Sequence, residues 1–301
     1  MKNMAEHIHI VDSGEIFPAR LAQALQRKGY SLSCSGCPDE LIAEMQQAGV
    51  KLCSLQQLRS EGIEIELIAG TPQADNEDVK YAEAEHLRII PVADLLAAHI
   101  DGKAMVTECN TRYPGRILAI IRYVLQAQNK KCDYVSGMPT AGLPDEISLS
   151  ENTRICLLNG DWLLRFDSRN RKSNILILSS LYWRESEIYP TFESYLEARY
   201  KMVKNIDRNG ILIYNQTVTA FHEWAQSVRE DITAIPFKAH TCRKEGGRCF
   251  LTYAKSEIEL PFSCDEDLLS DISAARLACR QLGVTEKAFY EKIASATFLG
   301  E

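Results

Sequence analysis

The sequence has no long apolar run and no cluster of basic residues. No apolar stretch approaches the roughly 18–20 residues that a membrane-spanning helix needs. The N-terminal residues lack the basic and apolar segments of a secretory signal. The net charge is −7, with acidic and basic residues interspersed, which argues against a nucleic-acid or anionic-membrane partner. We therefore expect a soluble, cytoplasmic protein that has no membrane span and binds no nucleic acid.

Glycine and proline are also sparse, at 16 and 10 of 301 residues, and there is no internal repeat or low-complexity tract. The composition, 46% hydrophobic and 25% charged, is typical of a globular protein. A chain of this length can build two ordinary domains, each with its own core.

Only one of the possible cysteine pairs has the spacing of a metal or redox site. The chain has ten cysteines, and Cys34 and Cys37 alone form a Cys-x-x-Cys pair. Zinc would need a second pair at comparable spacing, so the sequence predicts no metal site. Most of the thiols are expected to be reduced and many of them buried. A zinc or redox module around Cys34 and Cys37 stays as a minor alternative.

Strands alternate with helices through most of the chain, which indicates parallel, doubly wound sheets. Residues 7–11 predict a strand, followed by a turn and a helix that ends near Lys28. Residues 101–103 predict a turn and a boundary between domains 1–101 and 102–301. The second domain opens with a strand at 104–107, a loop at 108–115 and a helix at 116–128. Antiparallel hairpins over 242–260 and two helices close the chain.

Several short segments, in order along the whole chain, resemble the Mur ligases of peptidoglycan synthesis. They are IHIV at 8–11, KAMV at 103–106, DYVSG at 133–137, NGD at 159–161, YPTFESY at 189–195 and NGILIYN at 209–215. The likeness is greatest to the UDP-N-acetylmuramate–L-alanine ligase type and the muramyl-tripeptide-recycling branch. It implies an α/β protein with a Rossmann-like N-terminal domain and a central P-loop-like domain. It also implies that the third domain, which binds the incoming amino acid or peptide, is absent.

The phosphate cradle of that family is altered here. The family has Gly-x-His-Gly-Lys-Thr-Thr between strand and helix, whose backbone donors and lysine hold ATP phosphates. The matching residues are Asn110, Thr111, Arg112, Tyr113, Pro114, Gly115 and Arg116. Proline replaces the lysine and removes a backbone donor. We predict a degenerate P-loop that retains at most a weak anion site at Arg112 and Arg116. Ordinary solvated arginines are the favoured interpretation of both.

The magnesium ligands are mostly lost as well. Of the family's Glu-Gly-Asp-Glu motif only Asp161 remains, because Asn159 and Trp162 replace the glutamates. We interpret Asp161 as a turn or cap residue and a relic of the motif. Near the end, Asp267 and Asp271 stand where the family has residues that contact nucleotide. Their charges would repel a triphosphate, although acidic residues also favour a helix N-terminus.

The N-terminal domain keeps a few residues at the positions where the family binds a nucleotide sugar. These weak relics are Ser13, Gly14, Ser35, Gly70 and Thr71. The pyrophosphate turn has lost its glycine pattern, so retained UDP-sugar binding is the less favoured outcome. The six histidines are scattered, and the sequence indicates no Ser/His/Asp constellation.

These losses favour a Mur-ligase-like pseudoenzyme, a non-catalytic binding or regulatory protein linked to peptidoglycan metabolism. The hypothesis includes no catalytic residue and no cofactor. Its partner would be a cell-wall biosynthesis protein or a UDP-sugar. The alternative is an ATP-dependent UDP-N-acetylmuramate:amino-acid or peptide ligase with an altered active site, which would require ATP and magnesium.

Overall fold

Two units make up the fold. A computed structural model describes residues 7–11, 16–37, 39–65, 67–70, 76–150, 152–166, 171–186, 188–254 and 256–300. The first unit comprises Met1–Asp101 with Ile147–Glu151, and the second comprises Gly102–Glu146 with Asn152–Glu301. A boundary at residue 101 alone does not anticipate the grouping of Ile147–Glu151 with the first unit.

The first unit is a five-stranded parallel sheet with helices between the strands. The strands are β1 (His7–Val11), β2 (Ser31–Ser35), β3 (Lys51–Leu52), β4 (Leu67–Gly70) and β5 (Ile89–Ile90). The helices are α1 (Ile16–Lys28), α2 (Ile42–Gln47), α3 (Leu55–Ser60), α4 (Glu77–Ala84) and α5 (Val92–Ile100), and Asp39–Leu41 form a 3₁₀ turn. The strand order β3-β2-β1-β4-β5 is Rossmann-like, as the sequence predicts.

Local sequence explains where these helices begin. Ser54 caps α3 in a reciprocal capping box with Gln57. The Asn76 side chain accepts the N–H groups of Asp78 and Val79 at the start of α4. Behind them lies an apolar core that includes Val11, Leu55, Leu58, Ile68 and Ala82.

The second sheet has seven strands, and the strands from β12 to β7 pair in parallel. Its strands are β6 (Ala104–Asn110), β7 (Asp133–Val135), β8 (Ile147–Ser148), β9 (Ile155–Asn159), β10 (Ser173–Ser180), β11 (Ile206–Asn215) and β12 (Thr233–Phe237). Their order is β12-β11-β10-β6-β9-β7-β8. Because β6 lies between β10 and β9, the carboxyl ends of these three strands share one edge of the sheet.

Helices and a small antiparallel sheet complete the second unit. The helices are α6 (Arg116–Ala127), α7 (Gly160–Phe166), α8 (Phe192–Lys204), α9 (Thr219–Gln226), α10 (Glu266–Gln281) and α11 (Glu286–Ile293), with a 3₁₀ turn at Thr297–Gly300. The apolar side of α6 packs against α10 and α11 in the main core. The predicted hairpins are β13 (Cys242–Glu245), β14 (Arg248–Tyr253) and β15 (Ser256–Leu260).

The predicted elements differ from the structure in two ways. The helices α3, α7 and α9 and the strands β3, β7, β8 and β12 were not anticipated. The predicted loop at 108–115 is shorter, because β6 continues to Asn110. Its last residues pair with β10, and Glu108 also pairs with Asn159 of β9, so both neighbouring strands extend it. Within the described part of the chain, none of the helices combines the length and apolarity that a membrane crossing demands.

Candidate functional site

The predicted P-loop residues lie at the carboxyl edge of β6 and β10, where open α/β sheets bind ligands. Asn110 ends β6 and Ser180 ends β10. The Ser180 hydroxyl donates to Asn110 Oδ1 (2.9 Å) and accepts the backbone N–H groups of Thr111 (3.0 Å) and Arg112 (3.2 Å). The Tyr113 N–H donates to Asn110 Oδ1 (3.2 Å). The first part of the loop therefore directs its backbone donors at two side chains of its own sheet.

The rest of the loop is satisfied in the same way by Glu108. This carboxyl group accepts the Gly115 N–H with one oxygen and the Leu118 N–H (3.2 Å) with the other. The Arg116 N–H donates to a backbone carbonyl of the loop (3.2 Å), and Pro114 has no N–H. Every backbone donor from residue 111 to residue 116 is thus engaged. A phosphate cradle, in contrast, works by presenting free donors to its ligand.

Glu108 lies inside the protein, at 1% exposure, beneath the N-terminus of α6. Burial raises the pKa of this carboxyl group well above its usual range, although the N–H groups of Gly115 and Leu118 favour the ionised form. Gly115 has a positive φ of 86°, and a Cβ atom there would come within 2.4 Å of Thr140 Oγ1. The turn over Glu108 therefore requires glycine.

The two arginines of the predicted anion site are paired with the two aspartates of α10. Arg116 Nε donates to Asp271 Oδ2 (2.6 Å), and Arg112 Nε lies 2.9 Å from Asp267 Oδ2. Asp271 also accepts from Asn110 Nδ2 (2.9 Å) and Ser179 Oγ (2.8 Å), and burial raises its pKa to about 6. Arg112 is exposed, as expected. The expectation for Arg116 is wrong, because its side chain is only 18% exposed.

Arg116 keeps one unused donor. Its guanidinium lies over the Tyr113 ring, 3.8 Å from the ring centroid. Its Nη2 atom is buried and has no hydrogen-bond partner among the described residues.

Asp161 lies in the first turn of α7, where it binds a buried arginine. Arg199 of α8 is 1% exposed, and its Nη2 donates to Asp161 Oδ1. The Tyr189 hydroxyl donates to the same oxygen (3.3 Å), and the guanidinium lies 4.9 Å from the Tyr195 ring centroid. The sequence indicates a turn or cap residue at Asp161; it lies instead within the first turn of α7, where its own N–H donates to Asn159 Oδ1 (2.8 Å). Its role as an ion-pair partner emerges only in three dimensions.

The chain was compared with known protein families, curated sequences and solved structures. No protein-family model and no curated protein sequence matches the chain. Among solved structures, the Neisseria meningitides UDP-N-acetylmuramate:L-alanyl-gamma-D-glutamyl-meso-diaminopimelate ligase superposes with a TM-score of 0.76 at 11% identity, covering 97% of this chain and 98% of that chain. The Psychrobacter arcticus murein peptide ligase gives 0.74 at 14%, covering 97% and 68%. The Thermotoga maritima UDP-N-acetylmuramate-alanine ligase gives 0.66 at 17%, covering 98% and 69%.

The chain has a Mur ligase fold. The predicted fold class, a Rossmann-like sheet followed by a central-type α/β domain, is confirmed. At these identities the likeness establishes the fold alone. What the fold does in this chain depends on the residues at its edges.

Two charged residues at this site, Glu108 and Arg199, were not identified from the sequence. Glu108 lies within a buried strand, between Thr107 and Cys109, which are themselves buried. Arg199 shares the buried side of α8 with Tyr195 and Met202, at helical spacing. The available signal was a charged residue at a position where the periodicity of its strand or helix predicts an apolar one. Such a group is buried and needs a partner inside the protein.

The nucleotide-sugar relics of the first unit are only partly visible. Ser35 and Gly70 end β2 and β4, and both are in register with Val11 of β1, one on each side. The structure thus brings these two positions to one sheet edge. Ser13, Gly14 and Thr71 lie outside the described residues.

A ladder of histidine and serine side chains runs along β1 and β2. His7 contacts Ser31 Oγ (2.9 Å) and Ser33 Oγ (2.8 Å) through its two ring nitrogens. His9 contacts Ser33 Oγ (2.9 Å) and Ser35 Oγ (3.2 Å) in the same manner. This cross-strand contact between parallel neighbours could not be identified from the sequence, where the two strands are about 24 residues apart.

Asp78 of α4 ends this ladder. Its Oδ2 atom lies 3.4 Å from His9 Nε2, and its Oδ1 atom accepts the Leu55 N–H (2.9 Å). Burial opposes ionisation of Asp78, but the hydrogen bonds from His9, Ser35 and the Leu55 N–H lower its pKa. The centre of the ladder is inaccessible, since His9 and Ser33 are fully buried, whereas Ser31 at one end is exposed. It therefore has the properties of a core network and not of a nucleophilic site.

No three His, Cys, Asp or Glu side chains of the described residues converge in a way that could hold a metal ion. Cys34 is buried in β2, and Cys37 is half-buried between that strand and the 3₁₀ turn at Asp39–Leu41.

Proposed function

We propose that the chain is a Mur-ligase-like pseudoenzyme, a non-catalytic binding or regulatory protein linked to peptidoglycan metabolism. The observation that supports this proposal is the occupied P-loop. All backbone donors from residue 111 to residue 116 are bound by groups of the chain, with Glu108 beneath the helix N-terminus. A nucleotide phosphate would have to displace these groups before it could bind.

Charge supports the same conclusion. Arg112 and Arg116 already have carboxylate partners in Asp267 and Asp271, and Arg199 takes Asp161. Each charge-assisted contact that a phosphate must replace contributes on the order of 1.5–3 kcal/mol. The displaced carboxylates would also lie close to the incoming phosphate and repel it. Binding of Mg-ATP should therefore be weaker by orders of magnitude than in an intact P-loop.

The retained scaffold is then available for recognition. Two of the similar structures are enzymes whose names specify UDP-N-acetylmuramate. We propose a UDP-sugar or a cell-wall biosynthesis protein as the partner, and a cytoplasmic location. Residues 1–101 would serve as the N-terminal Mur-type domain and residues 102–301 as the central one. Of the sugar-binding relics, Ser35 and Gly70 are at the sheet edge that such a ligand would approach.

Titration calorimetry tests the proposal on the full chain. Mg-ATP is titrated to millimolar concentration, UDP-N-acetylmuramate is titrated separately, and a Mur ligase with an intact P-loop serves as the positive control. We expect neither heat nor thermal stabilisation with Mg-ATP. A competent site at about 100 times its Kd would stabilise the fold by roughly 2.7 kcal/mol.

Micromolar Mg-ATP binding that EDTA abolishes would contradict the proposal, as would ATP-dependent ligation of a muramyl substrate. A pair of variants then locates such binding. Arg116→Gln should remove it, whereas Arg248→Gln should not, because Arg248 is an exposed residue of β14 paired with Glu259.

A second candidate is an ATP-dependent UDP-N-acetylmuramate:amino-acid or peptide ligase with an altered site. The buried, unpartnered Nη2 of Arg116 favours it, since an arginine there could take the place of the missing lysine. This candidate requires ATP and magnesium. Glu108 or Asp271 would also have to move when nucleotide binds.

A further inference from the structure

A cleft of about 350 Å³ opens beside β12, away from the degenerate P-loop. Its walls come from the segment after β12 (Lys238 and His240), the end of β14 (Tyr253), α10 (Arg276) and α11 (Glu286 and Tyr290). None of its lining residues belongs to the P-loop site. Its volume falls within the usual range of small-molecule sites.

One wall of the cleft is a fixed group of aromatic rings. His240 Nδ1 lies 2.8 Å from the Thr241 carbonyl oxygen, which can only accept, so this nitrogen carries the proton. His240 Nε2 then accepts from the Tyr290 hydroxyl (2.6 Å). The Tyr253 ring stacks on Tyr290, with centroids 4.3 Å apart and planes 27° apart. Burial lowers the pKa of His240, which keeps the ring neutral.

The charges of the cleft are unbalanced toward positive. Arg276 Nη1 pairs with Glu286, while Arg276 Nε is buried and has no partner among the described residues. Lys238 adds an exposed ammonium group at the rim. Two cations thus face one carboxylate, and one guanidinium N–H is unused. A guanidinium with a free N–H is suited to an oxyanion.

We propose that this cleft binds a small organic anion, a carboxylate or a phosphate carried on a planar ring. The oxyanion lies against Arg276 and Lys238, and the ring lies along Tyr253 and Tyr290. The proposal is independent of the function proposed above, because it involves no residue of the P-loop. It assigns the chain a ligand site even if nucleotide binding has been lost.

The test uses the full chain and three probes of similar size. Phenyl phosphate and benzoate carry the two oxyanions, and phenol is the neutral control. For ligands this small we expect saturable binding of at least one anion with a Kd of about 1 mM, measured by calorimetry, and no binding of phenol. The ratio of the two anion affinities identifies the preferred oxyanion.

Variants locate the site. Arg276→Gln and Lys238→Gln should each weaken anion binding, by about tenfold for Arg276→Gln. Arg243→Gln is the matched control, because Arg243 lies exposed on β13 in a pair with Glu257. If Arg276→Gln unfolds the protein, Lys238→Gln still tests the cleft. The proposal is overturned if neither anion binds up to about ten times the expected Kd, if phenol binds equally well, or if the cleft variants bind like the wild type.

Discussion

The two units bury polar side chains of different kinds. In the first unit, imidazole rings and hydroxyl groups form a ladder along two adjacent strands, with His9 and Ser33 at its centre and one carboxylate, Asp78, at its end. In the second unit the buried polar groups are carboxyl groups and a guanidinium group. Glu108, Asp271 and Arg199 lie around the edge where parallel strands end.

This difference helps to distinguish buried polar groups that only stabilise the core from those that could form a functional site. A neutral group that is hydrogen-bonded by the neighbouring strand is tolerated in a core at little cost. A buried charge costs several kcal/mol unless it is paired, and such groups cluster at functional sites. The edge of the second unit, where carboxyl and guanidinium groups are buried, is therefore the better candidate for a functional site.

The largest effect is expected from loss of the buried arginine. Arg199→Ala should lower the free energy of unfolding by about 3–4 kcal/mol, because it removes a fully buried side chain and leaves a cavity. Asp161 contributes little to this loss, since it is partly exposed and can be solvated. Urea unfolding followed by tryptophan fluorescence measures the change.

Lys201→Ala on the same helix is the control. Lys201 is 70% exposed and pairs with Glu197 on the surface, so its loss should change stability by less than about 0.5 kcal/mol. Equal losses in the two variants would show that the charged edge is no more tightly packed than the surface.

The next largest effect on stability is expected at Glu108, where two variants distinguish its role as a hydrogen-bond acceptor from its charge. Glu108→Ala leaves the Gly115 and Leu118 N–H groups without an acceptor and should cost about 2–3 kcal/mol. Glu108→Gln keeps one acceptor oxygen but presents an NH2 group to the other N–H, so it should cost about 1–2 kcal/mol, less than the alanine variant. Thermal and urea unfolding of both variants test this order. A glutamine variant as unstable as the alanine variant would mean that the negative charge itself holds the loop.

The smallest effect is a pH dependence of opposite sign in the two units. The raised pKa of Asp271, about 6, gives stability that is present below about pH 4 and lost as the pH rises to about 6. Relative to wild type, Asp271→Asn should therefore gain about 2 kcal/mol over this interval. The lowered pKa of Asp78 gives stability that is present above about pH 4 and lost as the pH falls through its folded value.

The paired variants Asp271→Asn and Asp78→Asn make this comparison in urea titrations between about pH 3 and pH 7. Asp78→Asn should be least different from wild type at the acidic end. If the stability difference from wild type changed with pH in the same direction for both variants, the pKa values of Asp271 and Asp78 would not be shifted in opposite directions.

Much of the fold could be predicted from the sequence, because helix and strand periodicity are local properties. The apolar face of α6 and the hairpins of β13 to β15 were evident from their residues alone. The short elements β3, α3 and α7 were not, because their two, six and seven residues carry too little periodicity to be recognised. The end of β6 was placed too early, since pairing with β10 and β9 extends a strand beyond its apolar run.

For the candidate site, the sequence by itself was enough to predict a phosphate cradle without its glycines and lysine, because a motif is a property of consecutive residues. Only the tertiary structure decided what took their place. Ser180 meets the loop because β6 and β10 end at a common edge, and Asp271 meets it because α10 packs against α6. The same applies to the pairing of Arg199 with Asp161, 38 residues away. Side-chain partners across a sheet depend on strand order and register, and these arise from packing of the whole unit.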